Sequence, residues 1–232
     1  MTKNAFFKQI YKALIVSTQA EGNDPFNTPD GVSLFARAAE MGGASAIRSC
    51  GIKKTEHIIQ HIALPVIGLT KAEYDDGCVK ITRSAEDVEK LFEIGCSMVA
   101  IDGTLRLWEG LSGPEFIARM KNKTNKLIMA DISTLEDAMA CEKAGADCVS
   151  TTLSAYTPET KHRNNGQPDF ELIKELSSKI SIPIIAEGRI SRPEHATKAI
   201  QCGAYAVVAG TVITRPRIVT SWYVNALKEY DV

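Results

Sequence analysis

Short apolar runs alternate with helix-like segments along the whole chain. In four places a helix-like segment ends at a glycine, which a small residue and an apolar run then follow: Gly43, Gly95, Gly145 and Gly203. These glycines stand roughly 50 to 60 residues apart, about twice the length of one unit of strand and helix. Each interval therefore has room for one more strand, and a second apolar run lies in each of them.

The apolar runs predict eight strands, because each is too short for a helix and is apolar almost throughout. They start near residues 13, 45, 64, 97, 126, 147, 182 and 204. Helices are predicted over residues 32–41, 55–62, 85–94, 113–120, 134–143, 169–176, 193–201 and 217–227. This alternation indicates a parallel sheet covered on both faces, so we predict an α/β protein with a single (β/α)8 TIM barrel domain over residues 1–232. An open doubly wound sheet is the alternative, but no GxGxxG follows the first strand.

Composition and charge narrow the range of partners. The 232 residues include 27 basic and 28 acidic side chains, a balance that points to neither nucleic acid nor a membrane as a partner. No apolar run approaches the ~20 residues that span a bilayer, and no signal segment opens the chain, so we expect a soluble, cytoplasmic protein. The six cysteines show no CxxC spacing and are expected to be reduced thiols. An apolar segment over residues 218–224 predicts a helix that docks on a second subunit, and hence a homodimer.

Four charged residues follow the ends of different predicted strands. Arg48, Lys71, Asp131 and Glu187 should meet at one end of the barrel, where barrels of this kind carry their active sites. Such a set suits the removal of a proton from a carbon next to a carbonyl group. Lys71 could be the base if desolvation or the charge of Arg48 disfavours its ammonium form. Asp131 would then orient Lys71, and Glu187 could return a proton from the opposite face.

The last two predicted strands end in residues typical of a phosphate site. One is followed by Glu187-Gly188-Arg189, and the other by Gly210-Thr211, ahead of Arg215. Glycine lets backbone amides approach an anion, and the start of a helix adds positive potential. Either glycine alone would indicate only a turn, but the pair at successive strand ends predicts a phosphate cradle.

Two histidines have the spacing of a metal site. His57 and His61 lie four residues apart on a predicted helix, as zinc ligands can. Their order is EHxxxH rather than the HExxH of metalloproteases, and the helix belongs to the outer ring. No third ligand accompanies them, so we interpret them as a surface pair and predict no metal site.

Longer motifs resemble those of one enzyme family. They are LIVSTQA (14–20), AIR (46–48), IGLTKAEY (67–74), AIDGT (100–104), MADIST (129–134), TTLSAYTPET (151–160), PDFELIKEL (168–176), AEGRI (186–190) and AGTVITRP (209–216). Taken together, they make the chain similar to bacterial N-acetylmannosamine-6-phosphate 2-epimerases over residues 14–227.

The resemblance implies an isomerase that needs no cofactor and acts in sialic acid degradation. It would interconvert N-acetylmannosamine 6-phosphate and N-acetylglucosamine 6-phosphate by moving a proton at carbon 2. The implied catalytic residues are Lys71 and Glu187. The implied binding residues are Gln19, Arg48, Asp131 and Arg215 for the sugar, and Gly188, Arg189, Gly210 and Thr211 for the phosphate.

Two other functions are weighed against this one. A phosphosugar epimerase of the ribulose-phosphate type would place histidine and aspartate metal ligands at the strand ends, but the four histidines (57, 61, 162 and 195) lie elsewhere. A non-catalytic phosphosugar sensor would keep the pocket without the chemistry, and the presence of Lys71 and Glu187 argues against it. Product formation from the phosphorylated amino sugar separates an enzyme from a sensor.

Overall fold

Eight of the ten strands form a closed barrel in the computed structural model, which describes residues 1–228. The strands are β1 (Leu14–Thr18), β2 (Ala46–Cys50), β3 (Val66–Leu69), β4 (Lys71–Glu73), β5 (Val79–Ile81), β6 (Met98–Asp102), β7 (Leu127–Asp131), β8 (Cys148–Ser150), β9 (Ile184–Glu187) and β10 (Ala206–Ala209). The helices are α1 (Lys3–Ile10), α2 (Pro29–Met41), α3 (Ile52–Ile59), α4 (Ala85–Glu93), α5 (Gly113–Lys123), α6 (Leu135–Lys143), α7 (Phe170–Lys179), α8 (Pro193–Gln201), α9 (Thr211–Thr214) and α10 (Pro216–Lys228).

The barrel strands are all parallel, and around the ring they follow the order β1-β10-β9-β8-β7-β6-β3-β2. The ring closes between the first and last strands, where Ile15 pairs with Val208. The prediction of a (β/α)8 barrel is therefore confirmed. Each barrel strand begins one or two residues after the position expected from the apolar runs.

Alternate residues of the strands face two different cores. On β6, Met98 and Ala100 belong to the cluster inside the barrel, whereas Val99 and Ile101 pack with the surrounding helices. Successive side chains of a strand point to opposite faces of the sheet, and here both faces are covered. This explains why the runs are apolar throughout rather than at every second position.

Helix α1 closes the amino-terminal end of the barrel and was not predicted. Its Phe6, Phe7 and Ile10 are buried in the cluster that fills the barrel interior. Thr2 caps the helix by accepting a hydrogen bond from the backbone of Ala5. With one end sealed by apolar side chains, the barrel offers its polar chemistry at the other end.

A two-stranded hairpin, also unpredicted, projects from the carboxyl-terminal end of β3. Its strands β4 and β5 are antiparallel, and Lys71 pairs with Ile81. The turn between them contains Gly77, whose φ of 76° lies in the left-handed region that favours glycine. The hairpin therefore carries Lys71 above the end of the barrel, beyond β3 itself. Within residues 1–228, no helix has the length and apolarity needed to cross a membrane.

Candidate active site

Three of the predicted charged residues point into the barrel because of the alternation along their strands. Ala46, Met129 and Ile185 face the interior, so the residues two positions further on, Arg48, Asp131 and Glu187, do so as well. They form a polar layer above the apolar filling.

Arg48 holds this layer together. Its guanidinium makes a bidentate pair with Asp131, with Nη1 to Oδ1 at 3.1 Å and Nη2 to Oδ2 at 2.6 Å, and Nη1 lies 3.2 Å from Glu187 Oε2. The Arg48 side chain is 1 % exposed and that of Asp131 is 0 % exposed. Thr152 also donates to Asp131, at 2.9 Å. A buried charge needs such partners, because each charge removed from water without one costs several kcal/mol.

The network shifts two ionisation equilibria. Burial raises the pKa of Glu187, a rise that Arg48 opposes and Asp131 reinforces. Burial alone would lower the pKa of Arg48, but the two carboxylates outweigh it and raise that pKa. Glu187 thus holds a proton more readily than an exposed glutamate, which suits a group that both gives and takes protons.

The prediction that Asp131 orients Lys71 is wrong. Both carboxylate oxygens of Asp131 bind Arg48, while the ammonium of Lys71 binds Glu21 Oε1 at 2.5 Å. Arg48 and Asp131 are buried beneath the cavity and do not line it. Glu187, which Arg48 contacts, does line it.

A cavity of about 880 Å³ opens at this end of the barrel. Lys71 and Glu187 both line it. Glu187 ends β9, and Lys71 lies two residues beyond β3, which stands opposite β9 because four steps around the ring separate the two strands in either direction. A molecule in the cavity can therefore be approached by an amine from one side and a carboxyl group from the other. Gln19 lines the cavity too and donates a hydrogen bond to Ser17 Oγ at 2.6 Å.

The predicted phosphate residues lie together on the wall of this cavity. They are Gly188, Arg189, Gly210 and Thr211, with Arg215 beside them. Gly188 has a φ of 109°, which few other residues adopt. At Gly210 a Cβ atom would stand 3.1 Å from Ser17 Cβ, so the close approach of β1 favours glycine there. Gly210 directly precedes α9, whose first amides have no acceptor within the helix.

The side chain of Arg189 binds backbone carbonyls, whereas the sequence analysis expected it to bind phosphate. Its Nε donates to the carbonyl of Gln167 at 2.6 Å, and its Nη1 donates to that of Ser154 at 3.0 Å. The guanidinium therefore braces the loop between β8 and α7. Arg189 still lines the cavity, and its φ of 57° continues the unusual backbone of Gly188.

Glu21 is a cavity residue that the sequence analysis missed. It pairs with Lys71, and its Oε2 lies 3.5 Å from Arg215 Nη2. Partial burial would raise the pKa of Glu21, but Lys71, Arg215 and Lys54 outweigh this effect and lower the pKa. Its position three residues beyond β1 was the available signal, since residues just past a barrel strand surround the site.

The two histidines of α3 and its following turn form no metal site with the residues described. His57 Nε2 lies 3.0 Å from Asp30, and the rings of His57 and His61 stack with centroids 4.2 Å apart. In residues 1–228 no group of three or more His, Cys, Asp or Glu side chains is placed to hold a metal ion. The surface-pair interpretation agrees with this geometry.

Comparison with known proteins shows the family of this chain. The family model described as "Putative N-acetylmannosamine-6-phosphate epimerase" matches residues 32–229. The chain belongs to this family. A relative from Caldanaerobacter subterraneus subsp. tengcongensis is 46 % identical over 96 % of this chain and 94 % of its own length. Another, from Clostridium perfringens, is 42 % identical over 93 % and 96 %.

A solved structure agrees with both relatives. It is that of the N-acetylmannosamine-6-phosphate 2-epimerase from Clostridium perfringens, which is 40 % identical, covers 95 % of each chain and has a TM-score of 0.88. Membership of the epimerase family thus rests on sequence and on the whole barrel. It confirms the resemblance that the motifs indicated.

Proposed function

We propose that this chain is an N-acetylmannosamine-6-phosphate 2-epimerase, which interconverts N-acetylmannosamine 6-phosphate and N-acetylglucosamine 6-phosphate. The placement of Lys71 and Glu187 on opposite sides of one cavity, beside Gly188 and Gly210, is the observation that carries the proposal. Inversion at a carbon needs a proton removed from one face and supplied to the other, and two opposed groups meet that need.

The proton moves at carbon 2, next to the masked aldehyde of the sugar. Lys71 removes it on one face of the open-chain aldehyde to leave an enolate, and Glu187 returns a proton on the other face; the reverse reaction exchanges these tasks. Glu187 is suited to this because burial raises its pKa, while Arg48 keeps its carboxyl group in place at 3.2 Å. Asp131 and Arg48 act as positioning residues beneath it.

The phosphate of the sugar binds at the backbone of Gly188, Arg189, Gly210 and Thr211, with Arg215 as the cation. Phosphate bound away from the reacting carbon supplies binding energy that holds carbon 2 between the two catalytic groups. Gln19 binds the sugar from the wall beside β1. No step in this scheme uses a metal or a cofactor.

The proposal extends to the location of the enzyme and to its assembly. We infer a cytoplasmic enzyme of amino-sugar degradation that works as a homodimer through α10. The exposed apolar side chains of that helix, which include Trp222, Tyr223 and Leu227, support the inference.

The test is an assay of the purified protein with N-acetylmannosamine 6-phosphate in heavy water. We expect N-acetylglucosamine 6-phosphate as the product, with deuterium at carbon 2 in place of the original hydrogen. A protein that binds the sugar phosphate but forms no product would be a sensor. Product without deuterium would mean that carbon 2 never loses its proton to an exchanging group.

A further inference from the structure

One carboxylate links the base proposed above to the proposed phosphate cation. Glu21 Oε1 lies 2.5 Å from Lys71 Nζ, and Glu21 Oε2 lies 3.5 Å from Arg215 Nη2. All three side chains line the same cavity, and each is partly exposed to it. Glu21 therefore occupies the position next to Lys71 and Arg215 that an anionic group of a bound substrate would otherwise take.

The loop that presents Glu21 is held in place. Lys54 reaches from α3 and donates to the carbonyl of Ala20 at 3.2 Å and to Asn27 Oδ1 at 2.9 Å. These contacts hold the backbone just before Glu21 and the side chain of Asn27 further along the loop, while the side chain of Glu21 remains 44 % exposed. The carboxylate can turn toward water without any movement of the loop.

The two ion pairs of Glu21 are unequal. The contact with Lys71 is a short hydrogen bond, whereas the contact with Arg215 is longer than the 2.7–2.9 Å typical of charge-assisted hydrogen bonds. The Arg215 side chain lines the cavity and is 24 % exposed, so the tetrahedral oxygens of a phosphate can engage guanidinium donors that Glu21 leaves unused.

Lys71 cannot accept a proton while Glu21 holds it. An ammonium that donates to a carboxylate carries its full complement of protons, so a base needs that contact broken. A phosphate dianion on Arg215 would lie within a few ångströms of Glu21, and the repulsion of like charges there favours displacement of the carboxylate. The same movement separates Glu21 from Lys71, and the ammonium can then give a proton to water and leave the neutral amine that a base requires.

We propose that Glu21 is a specificity-determining residue, whose carboxylate is displaced from Arg215 by the substrate phosphate and thereby releases Lys71. The proposal rests on the function proposed above. The substrate phosphate is then required for turnover as well as for binding. A sugar that lacks phosphate leaves Glu21 in place and meets a lysine that cannot act as a base.

The experiment compares Glu21→Gln with Glu73→Gln. Glu73 is an exposed carboxylate on the hairpin that lines the same cavity and forms no ion pair within residues 1–228. Calorimetry measures the Kd for inorganic phosphate, and kinetics measure kcat/KM for N-acetylmannosamine with and without its 6-phosphate.

Glu21→Gln should bind phosphate about fivefold more tightly, because no carboxylate competes for Arg215. Its preference for the phosphorylated sugar should fall on the order of tenfold through a gain on the bare sugar. Glu73→Gln should change neither quantity.

Three results decide the matter once thermal unfolding shows that the variants are folded. An unchanged phosphate Kd in both Glu21→Gln and Glu21→Ala would overturn the proposal. An equal loss of kcat on both sugars would overturn it too, because Glu21 would then take part in moving the proton. Tighter phosphate binding in a protein that converts neither sugar would uphold the competition for Arg215 while the proposed epimerase activity fails.

Discussion

At the scale of single residues, Lys71 and Glu187 stand on opposite sides of one cavity, and substitution can separate their contributions. Lys71→Met keeps most of the length and the apolar stem of the side chain but removes the nitrogen. We expect this variant to bind the sugar phosphate, to exchange no deuterium at carbon 2 and to lose about 100- to 10,000-fold in kcat, the range typical of a general base. Nuclear magnetic resonance of the sugar in heavy water and initial-rate kinetics make the measurement.

The matched variant on the other side is Glu187→Gln. It should also stop epimerisation but leave slow exchange into unreacted substrate, because Lys71 can remove and return the proton on its own face. A Lys71→Met enzyme that retains exchange and turnover, with only KM raised, would make Lys71 a substrate ligand. The base would then have to be another group.

Arg48 is the residue on which the stability of the site depends. Arg48→Met leaves the carboxyl groups of Asp131 and Glu187 buried without their cation, and we expect a loss of about 3–5 kcal/mol in the free energy of unfolding at pH 8. Urea denaturation measures it. Arg37→Met, on the exposed face of α2, is the control and should change stability by less than about 0.5 kcal/mol.

The loss should shrink as the pH falls. Burial already raises the pKa of Glu187, and removing Arg48 takes away the charge that opposes this rise. The folded state of the variant then holds a proton that the unfolded chain releases above the ordinary glutamate pKa of 4.5, so stability is lost as pH rises above that value. The penalty at pH 5 should therefore be smaller than at pH 8. Equal penalties at both values would mean that the carboxyl groups reach water in the variant.

The residues of this site differ in how far the sequence could predict them. Arg48, Asp131 and Glu187 lie on strands, where the alternation of side chains decides which face each one occupies. Their convergence was therefore predictable. The partner of Lys71 was not, because Glu21 lies on a loop whose path depends on contacts such as that of Lys54 with Ala20. The spacing of residues along the chain does not indicate that this loop brings Glu21 to Lys71.

At the scale of elements, the hairpin of β4 and β5 determines where Lys71 lies, and Arg106 anchors that hairpin. Arg106 Nη2 donates to the carbonyl of Val79 on β5 at 3.3 Å and to the buried carboxylate of Asp102 at 3.2 Å. Tyr74, at the end of the hairpin, donates to the same carboxylate at 3.2 Å. The hairpin is thus tied to the end of β6 through Asp102.

Arg106→Met should loosen the hairpin without entering the cavity. We expect kcat to fall on the order of 10- to 100-fold, because displacement of a catalytic group by about 1 Å has an effect of that size. KM should change little, since Arg106 does not line the cavity in which the sugar phosphate is proposed to bind. Steady-state kinetics with the Arg37→Met control provide the measurement. A change confined to KM would place Arg106 among the substrate contacts and contradict the anchoring role.

The sequence predicted the repeated elements and missed the single ones. Eight apolar runs alternate with helices, and in four places the helix ends at a glycine, so each unit supports the recognition of the others. Helix α1 and the hairpin occur once, and the strands of the hairpin contain three residues each, too few to show an alternation. Both are stabilised by tertiary contacts, α1 by the barrel interior and the hairpin by Asp102.

At the scale of the whole molecule, closure of the barrel brings together residues from β2, β7 and β9, which are far apart in the sequence. The sequence predicted this closure because eight strand and helix units complete a ring, whereas fewer would leave an open sheet. How the barrel meets other subunits depends on its outer surface, where apolar residues follow no such rule. The homodimer therefore stays a prediction to be tested.

Helix α10 provides that test. Tyr223 and Leu227 are 71 % and 69 % exposed, and their spacing of four residues places them on one side of the helix. If this side docks on a second subunit, two charges there should separate the subunits, because an unpaired charge in an apolar interface costs several kcal/mol. We expect the wild-type protein to sediment as a dimer and the Tyr223→Glu, Leu227→Glu variant to sediment as a monomer in analytical ultracentrifugation. Leu34→Glu, at another exposed apolar position, is the control and should remain dimeric. A double variant that still dimerises would place the subunit contact elsewhere. A wild-type protein that stays monomeric up to high concentration would contradict the homodimer.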